Sequence, residues 1–266
     1  MKIIDSHCHI FPDKIAARAA ESTGRFYDFT AAGDGTVQGL LNNGAAVNIE
    51  HFVIQSVATA PKQVRSINEF IAEAVKNGEG KFTGLGTLHP DSDDLAADFR
   101  HLVSLGLKGV KLHPDIQQFK IDDYRCLKIY ELCEQNGMPI LLHTGDSRFD
   151  FSNPNRLLPV MQIYSELIVV GAHLGGWSVW DEATSKLADL PNLYVDCSSC
   201  MPFLPPHRVK EIIRCYGAER VLFGSDYPMF LPEKELPSFL DLGLSDEENR
   251  LILHDNACKV YHIETV

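Results

Sequence analysis

This 266-residue sequence is poor in positive charge: 24 Lys and Arg stand against 36 Asp and Glu, a formal net charge of -12, and no basic run offsets it. A surface that tracks nucleic-acid phosphates is therefore not expected. Long apolar runs are missing too. The least charged stretch, residues 160–180, still carries Glu166, His173 and the pair Gly175-Gly176, so no membrane span is expected. Near the start, Asp5 interrupts the apolar pair Ile3-Ile4 and leaves no signal-peptide core. The seven cysteines are odd in number and scattered, which suits reduced thiols in a cytoplasmic protein better than a disulfide framework. Cys197 and Cys200 form a lone C-x-x-C with no second pair, and read as thiols beside a strand end rather than a zinc or redox site. No repeat, low-complexity tract or linker breaks the chain, so one domain over residues 1–266 is expected.

What the sequence does have is alternation. At 45% hydrophobic and 23% charged it can bury a large core. Short β-branched or aliphatic runs at residues 2–5, 52–58, 82–88, 109–113, 139–143, 168–172, 193–196 and 221–224 read as strands. Amphipathic stretches at 64–76, 95–105, 124–136 and 209–216 lie between them. Several carry helix start or stop signals: acids between Asp91 and Asp94, Asp122-Asp123, and Asn136-Gly137 ahead of Met138-Pro139. Eight β/α units in this length predict an α/β fold, a (β/α)8 TIM barrel. Residues 11–44 are too long for a simple crossover and predict an insertion after the first strand, over one end of the barrel. Residues 231–266 predict two or more helices that close it.

A barrel enzyme keeps its chemistry where strands end and βα loops begin. Of eleven histidines, six (His7, His9, His89, His113, His143 and His173) fall at that rim. His7 and His9, at i and i+2 on an extended segment, point to one side and can share a metal ion. The fifth, sixth and eighth predicted strands end in His143, His173 and Asp226. Imidazoles with one carboxylate suit a divalent ion with a position left open. Lys111 and His113 share the inward face of the fourth strand. Lys111 could meet a substrate carboxylate or pair with Asp5 or Asp196, both ranked above being carboxylated and bridging two metals. Arg148, with Phe149 and Phe151, lies in a loop where specificity residues collect. Trp177, Trp180 and His89 read as packing or pocket-lining residues.

As a set, Asp5-Ser6-His7-Cys8-His9, Gly109-Val110-Lys111-Leu112-His113-Pro114, His143-Thr144-Gly145, His173-Leu174-Gly175-Gly176 and Gly224-Ser225-Asp226-Tyr227-Pro228 resemble the amidohydrolase superfamily. The resemblance is to its amidohydrolase-related branch, which includes aminocarboxymuconate-semialdehyde decarboxylase-like enzymes, and it covers nearly the whole chain. It implies that His7, His9, His143 and Asp226 bind the principal metal, Zn2+ before Mn2+, with one or two ions per chain. It implies catalytic roles for Asp226 and His173; strand and loop position make Lys111, His113 and Arg148 the expected substrate contacts. The Lys111-x-His113 pattern departs from the bridging context of binuclear members. The expected activity is hydrolysis of a small amide, ester or lactone by a metal-activated water; the alternative is non-oxidative decarboxylation of an unsaturated or aromatic carboxylic acid, with Lys111, Arg148 or Arg156 as the cation. The expected partners are a small-molecule substrate, a carboxylate among them, and a second copy in a homodimer.

Overall fold

The computed structural model describes residues 2–264; Met1, Thr265 and Val266, at the ends of the expected domain, lie outside the described residues. The aliphatic runs become parallel strands β1 (Ile4–His9), β2 (His51–Gln55), β3 (Phe82–Gly84), β4 (Gly86–Thr87), β5 (Val110–Leu112), β6 (Ile140–Leu142), β7 (Val169–Gly171), β8 (Leu193–Asp196) and β9 (Val221–Leu222). They pair in chain order, β1 to β3 and β4 to β9. The third expected strand is broken at Leu85. Its N–H still donates to Ile54 O at 2.9 Å, while the next N–H, from Gly86, donates to Gly109 O at 2.9 Å. β3 and β4 are thus one path that passes its ladder from β2 to β5, and the eight expected positions hold. Ser6 N–H donates to Phe223 O and Asp226 N–H to His7 O, each at 2.9 Å, which closes the (β/α)8 barrel and leaves no open sheet edge among the described residues.

The expected insertion holds α1 (Asp13–Tyr27) and α2 (Val37–Ala45). Around the barrel follow α3 (Val64–Asn77), α4 (Leu95–Ser104), α5 (Pro114–Gln117), α6 (Leu127–Gln135), α7 (Pro154–Ile163), α8 (Trp180–Leu187) and α9 (Pro206–Tyr216). The Asp94 side chain accepts the Ala97 N–H at 2.8 Å, a start signal visible in the sequence. The tail forms α10 (Pro232–Leu240), α11 (Asp246–Arg250) and α12 (Asn256–Tyr261). Val260 and Tyr261 of α12 join Ile4, Val53, Leu141, Val170 and Leu222 in one buried cluster, so the tail plugs the barrel where the strands begin.

The first strand is longer than expected. It runs to His9, so His7 and His9 lie within it rather than after it. Ile4 pairs with His51 and Cys8 with Ile54, an extra residue on β1 between Asp5 and Cys8. Without that bulge, alternation from the inward Ile4 would carry Ser6 and Cys8 into the barrel. The bulge inverts the phase: Cys8 packs outward in the helix-facing core, and His7 and His9 face in.

Candidate active site

A cavity of about 470 Å3 opens at the C-terminal ends of the strands, with His7, His9, Lys111, His113, His143, His173 and Asp226 among its lining. Lys111 stands in register with the inward Leu141, and His143 follows Leu141 by two residues on the same face. His173 needs another device. Val170 and Ala172 point into the barrel, so plain alternation would send His173 out. At φ 59 its backbone is left-handed, and the imidazole swings back into the cavity. Asp226 at φ 63 and Ser199 at φ 53 share that conformation, which non-glycine residues adopt at a cost of about 1–2 kcal/mol and which collects at functional sites.

Three side chains meet as a group. His7 Nε2 lies 3.2 Å from His9 Nε2 and 3.4 Å from Asp226 Oδ1, and His9 Nε2 lies 3.6 Å from the same oxygen. His7 and Asp226 are held from behind. His7 Nδ1–H donates to Asp196 Oδ2 at 2.9 Å, which leaves Nε2 bare, and Ser199 Oγ donates to Asp226 Oδ2 at 2.6 Å. Gly224 makes room for His7, since a Cβ there would sit 2.7 Å from His7 Cβ. Burial holds His7, His9, His113 and His143 well below the ordinary histidine value and takes His173 down to about 4, so all are neutral at pH 7. Burial likewise pushes Asp226 up and Lys111 down from their ordinary values. Two imidazole nitrogens converging on a carboxylate oxygen, with carboxylate support behind His7 and hydroxyl support behind Asp226, are donors that fit a divalent cation.

His143 stands in a second group, with His113 and Asp115. The His113 and His143 rings stack at 3.9 Å and 7°. Tyr27 Oη is 2.7 Å from His113 Nε2 and 3.4 Å from His143 Nε2, and Asp115 Oδ2 is 3.5 Å from His143 Nε2. His173 joins the two groups: its ring stacks on His7 at 5.3 Å, and its Nε2 lies 3.1 Å from His143 Nδ1. His173 Nδ1 lies 3.1 Å from Ser198 O and His143 Nε2 3.0 Å from Gly145 O, so each ring has a carbonyl within reach of its other nitrogen. Of the four ligands the resemblance implied, His7, His9 and Asp226 therefore meet directly, and His143 approaches through His173.

The other expected residues are placed as follows. Lys111 Nζ donates to His7 Nε2 at 3.2 Å and feels Asp196 and Asp226; Asp5 instead accepts the N–H groups of His7 and Ser225. Arg148 is outside the cavity lining. Asp146 holds its guanidinium at 3.0 and 2.7 Å, the third donor goes to Phe26 O at 2.7 Å, and the group lies over the Phe26 ring. It pins the end of α1 over the mouth instead of facing a ligand. Arg156 is tied to Asp122 and Asp150. His89 accepts the Asp91 N–H, and Trp180 donates to His173 O at 3.0 Å. Tyr27, Asp115 and Ser199 escaped the sequence reading. Asp115 carried a usable signal, two residues after a rim histidine; Tyr27, inside the insertion, carried none.

A model of the Amidohydrolase family matches residues 4–263. The chain belongs to the amidohydrolase family. It is accordingly an enzyme of the amidohydrolase superfamily, whose members depend on divalent metal ions. Among curated relatives of this amidohydrolase, the 2-amino-3-carboxymuconate-6-semialdehyde decarboxylase of Dictyostelium discoideum is 22% identical over 227 residues, 70% of this chain and 63% of the relative. The match thus spans less than two thirds of that relative's length. Among solved structures, an uncharacterized TIM-barrel protein from Bordetella bronchiseptica has a TM-score of 0.82 at 25% identity, covering 98% of each chain. A dihydroxybenzoic acid decarboxylase from a Polaromonas species, solved with manganese and 2-nitroresorcinol, has a TM-score of 0.75 at 16% identity, covering 100% of this chain and 98% of that one. No helix among the described residues is long and apolar enough to cross a membrane.

Proposed function

We propose that this amidohydrolase is a metal-dependent, non-oxidative decarboxylase of an unsaturated or aromatic carboxylic acid. The observation that carries this is Lys111, a fully buried ammonium on the cavity floor, while Arg148 and Arg156 are committed to protein acids. An anion entering the cavity meets that charge amid neutral imidazoles and aromatic walls, which suits a carboxylate on a flat, conjugated skeleton. The activities named for the Dictyostelium and Polaromonas proteins support it. His7, His9 and Asp226 would hold the ion, with His143 completing the set. Zn2+ or, as in the Polaromonas structure, Mn2+ supplies a Lewis acid there.

Lys111 binds the acid and stabilises the negative charge left on its skeleton as carbon dioxide departs. The bond to the carboxylate carbon breaks, its electron pair stays on the skeleton, and a proton takes its place. His173 Nε2 takes that proton from water entering the cavity and passes it to the skeleton, while His143 Nδ1 at 3.1 Å orients the His173 ring. His113 offers a ring face beside the substrate. Hydrolysis of a small amide, ester or lactone is the second reading, favoured by Asp226, a carboxylate on the cavity lining beside His7 and His9. The seven free thiols support a reducing, cytoplasmic setting, and a homodimer belongs to the same proposal.

The test offers the Mn2+-loaded protein hydroxybenzoates, unsaturated dicarboxylates and lactones, and measures carbon dioxide. The expected result is stoichiometric release from an acid, reduced about a hundredfold or more by Lys111→Met. Lactone or amide hydrolysis without carbon dioxide would replace this reading by the second.

A further inference from the structure

The cavity is larger than its polar floor needs. A cavity of about 150 Å3 accepts a benzene-sized ring, and this one, at about 470 Å3, holds roughly three times that. The surplus runs outward between α1 and α3. α1 carries two adjoining stripes. Ala16, Ala20 and Gly24 are buried and small, and seat the helix on the barrel. The neighbouring stripe, Ile15, Ala19, Thr23 and Phe26, lines the cavity at helical spacing. Across from it, Val64, Asn68 and Ile71 of α3 are buried, while Ser66, Ile67 and Phe70 line the opposite wall. The charged residues and imidazoles gather at the deep end, and the outer walls are mostly apolar, with the neutral Ser22, Thr23, Thr59, Gln63 and Ser66 set among them. Ile15 is 40% exposed, so the groove reaches solvent.

We infer that the substrate is an acid with an apolar arm: its carboxylate and conjugated head sit on the Lys111 and histidine floor, and an alkyl chain or second ring lies between α1 and α3. For the head group this rests on the decarboxylase reading; the arm rests on the groove alone. A head group without an arm would leave the apolar walls against water, and a charged arm would lose its hydration without an opposite charge on the outer walls, whose polar groups are all neutral. Ala19 is the position that keeps the groove open, since a large side chain there would project from the middle of the α1 stripe.

The test is calorimetric binding of 2-hydroxybenzoates carrying a methyl, butyl or octyl chain on the ring to the Mn2+-loaded protein at pH 7. Each methylene that enters the groove is expected to tighten binding about two- to fourfold, so butyl over methyl gains about tenfold or more. Ala19→Phe is expected to collapse that ratio towards one, and Ser66→Trp, built from an exposed position on the facing wall, should do the same if Ala19→Phe folds poorly. A flat series, no binding by any member, or a chain-length gain that persists in both variants would overturn the inference. Carbon dioxide measured on the same acids keeps the two proposals apart: a chain-length gain without carbon dioxide sinks the decarboxylase reading and spares the arm, and carbon dioxide without the gain does the reverse.

Discussion

In the proposed metal site His7 owes its bare Nε2 to Asp196. The buried carboxylate takes the Nδ1 proton at 2.9 Å and, through Asp196 Oδ1, also accepts from Ser198 Oγ, whose oxygen lies 3.2 Å from the same His7 nitrogen. Replacing Asp196 by Asn keeps the size but removes the charge that fixes the ring and strengthens it as a donor. Asp196→Asn is therefore expected to weaken metal binding about 10–100-fold, read by competition with a chelator, with the fold intact by circular dichroism. An unchanged affinity would mean that Asp196 merely fills space. At this scale the sequence was informative where a side chain's duty follows from its neighbours in the chain. His7 and His9 share a side because strand period is two. Arg148 is the opposite case: the distant Phe26 carbonyl takes one of its donors, and only the folded loop shows it.

Among the elements, β1 and the segment after β9 determine how closely the ligands approach. The bulge between Asp5 and Cys8 turns both histidines inward, and Gly224 lets β1 lie against its neighbour. A methyl at Gly224 would meet His7 Cβ at 2.7 Å and Ser198 Cβ at 3.3 Å, neither of which is the free end of a flexible chain. Gly224→Ala should destabilise by about 1–3 kcal/mol, lowering the melting temperature by several degrees in the presence of a chelator, and should also lose bound metal. A melting curve and metal content like those of the parent would refute the close-approach argument. The boundaries of β1 were not legible because a bulge has no fixed sequence signature, while the helix start at Asp94 was, since capping is local.

For the whole molecule, enclosing acids in the barrel creates a pH dependence. Burial raises Asp5 from 3.8 to about 6 and Glu235 from 4.5 to about 8, the latter with Asp226 and Asp5 adding repulsion and with Oε2 lacking a partner. Unfolding frees both to ionise. Their contribution to stability is full below about pH 4, declines as pH rises above the unfolded values, and is gone once pH passes the folded ones. Asp123 and Asp150, held below the usual carboxylate range by Arg125 and Arg156, act the other way in acid. The melting temperature is therefore expected to peak on the mildly acidic side and to fall by several degrees between pH 6 and pH 9, with Glu235→Gln flattening the alkaline half of that fall. Parallel profiles for the two proteins would show that Glu235 ionises freely in the native state.

By itself the sequence determined the number of strand positions, the helices between them, the histidines gathered at one rim and the pairing of His7 with His9. These follow from periodicity and from signals within a few residues of each other. Tertiary structure alone decided that a bulge faces those histidines inward, that a left-handed backbone returns His173 to the cavity, that Tyr27 arrives from α1, and that the site opens into an apolar groove. Each of these depends on contact between segments far apart in the chain, where steric fit and burial, rather than local pattern, select the conformation.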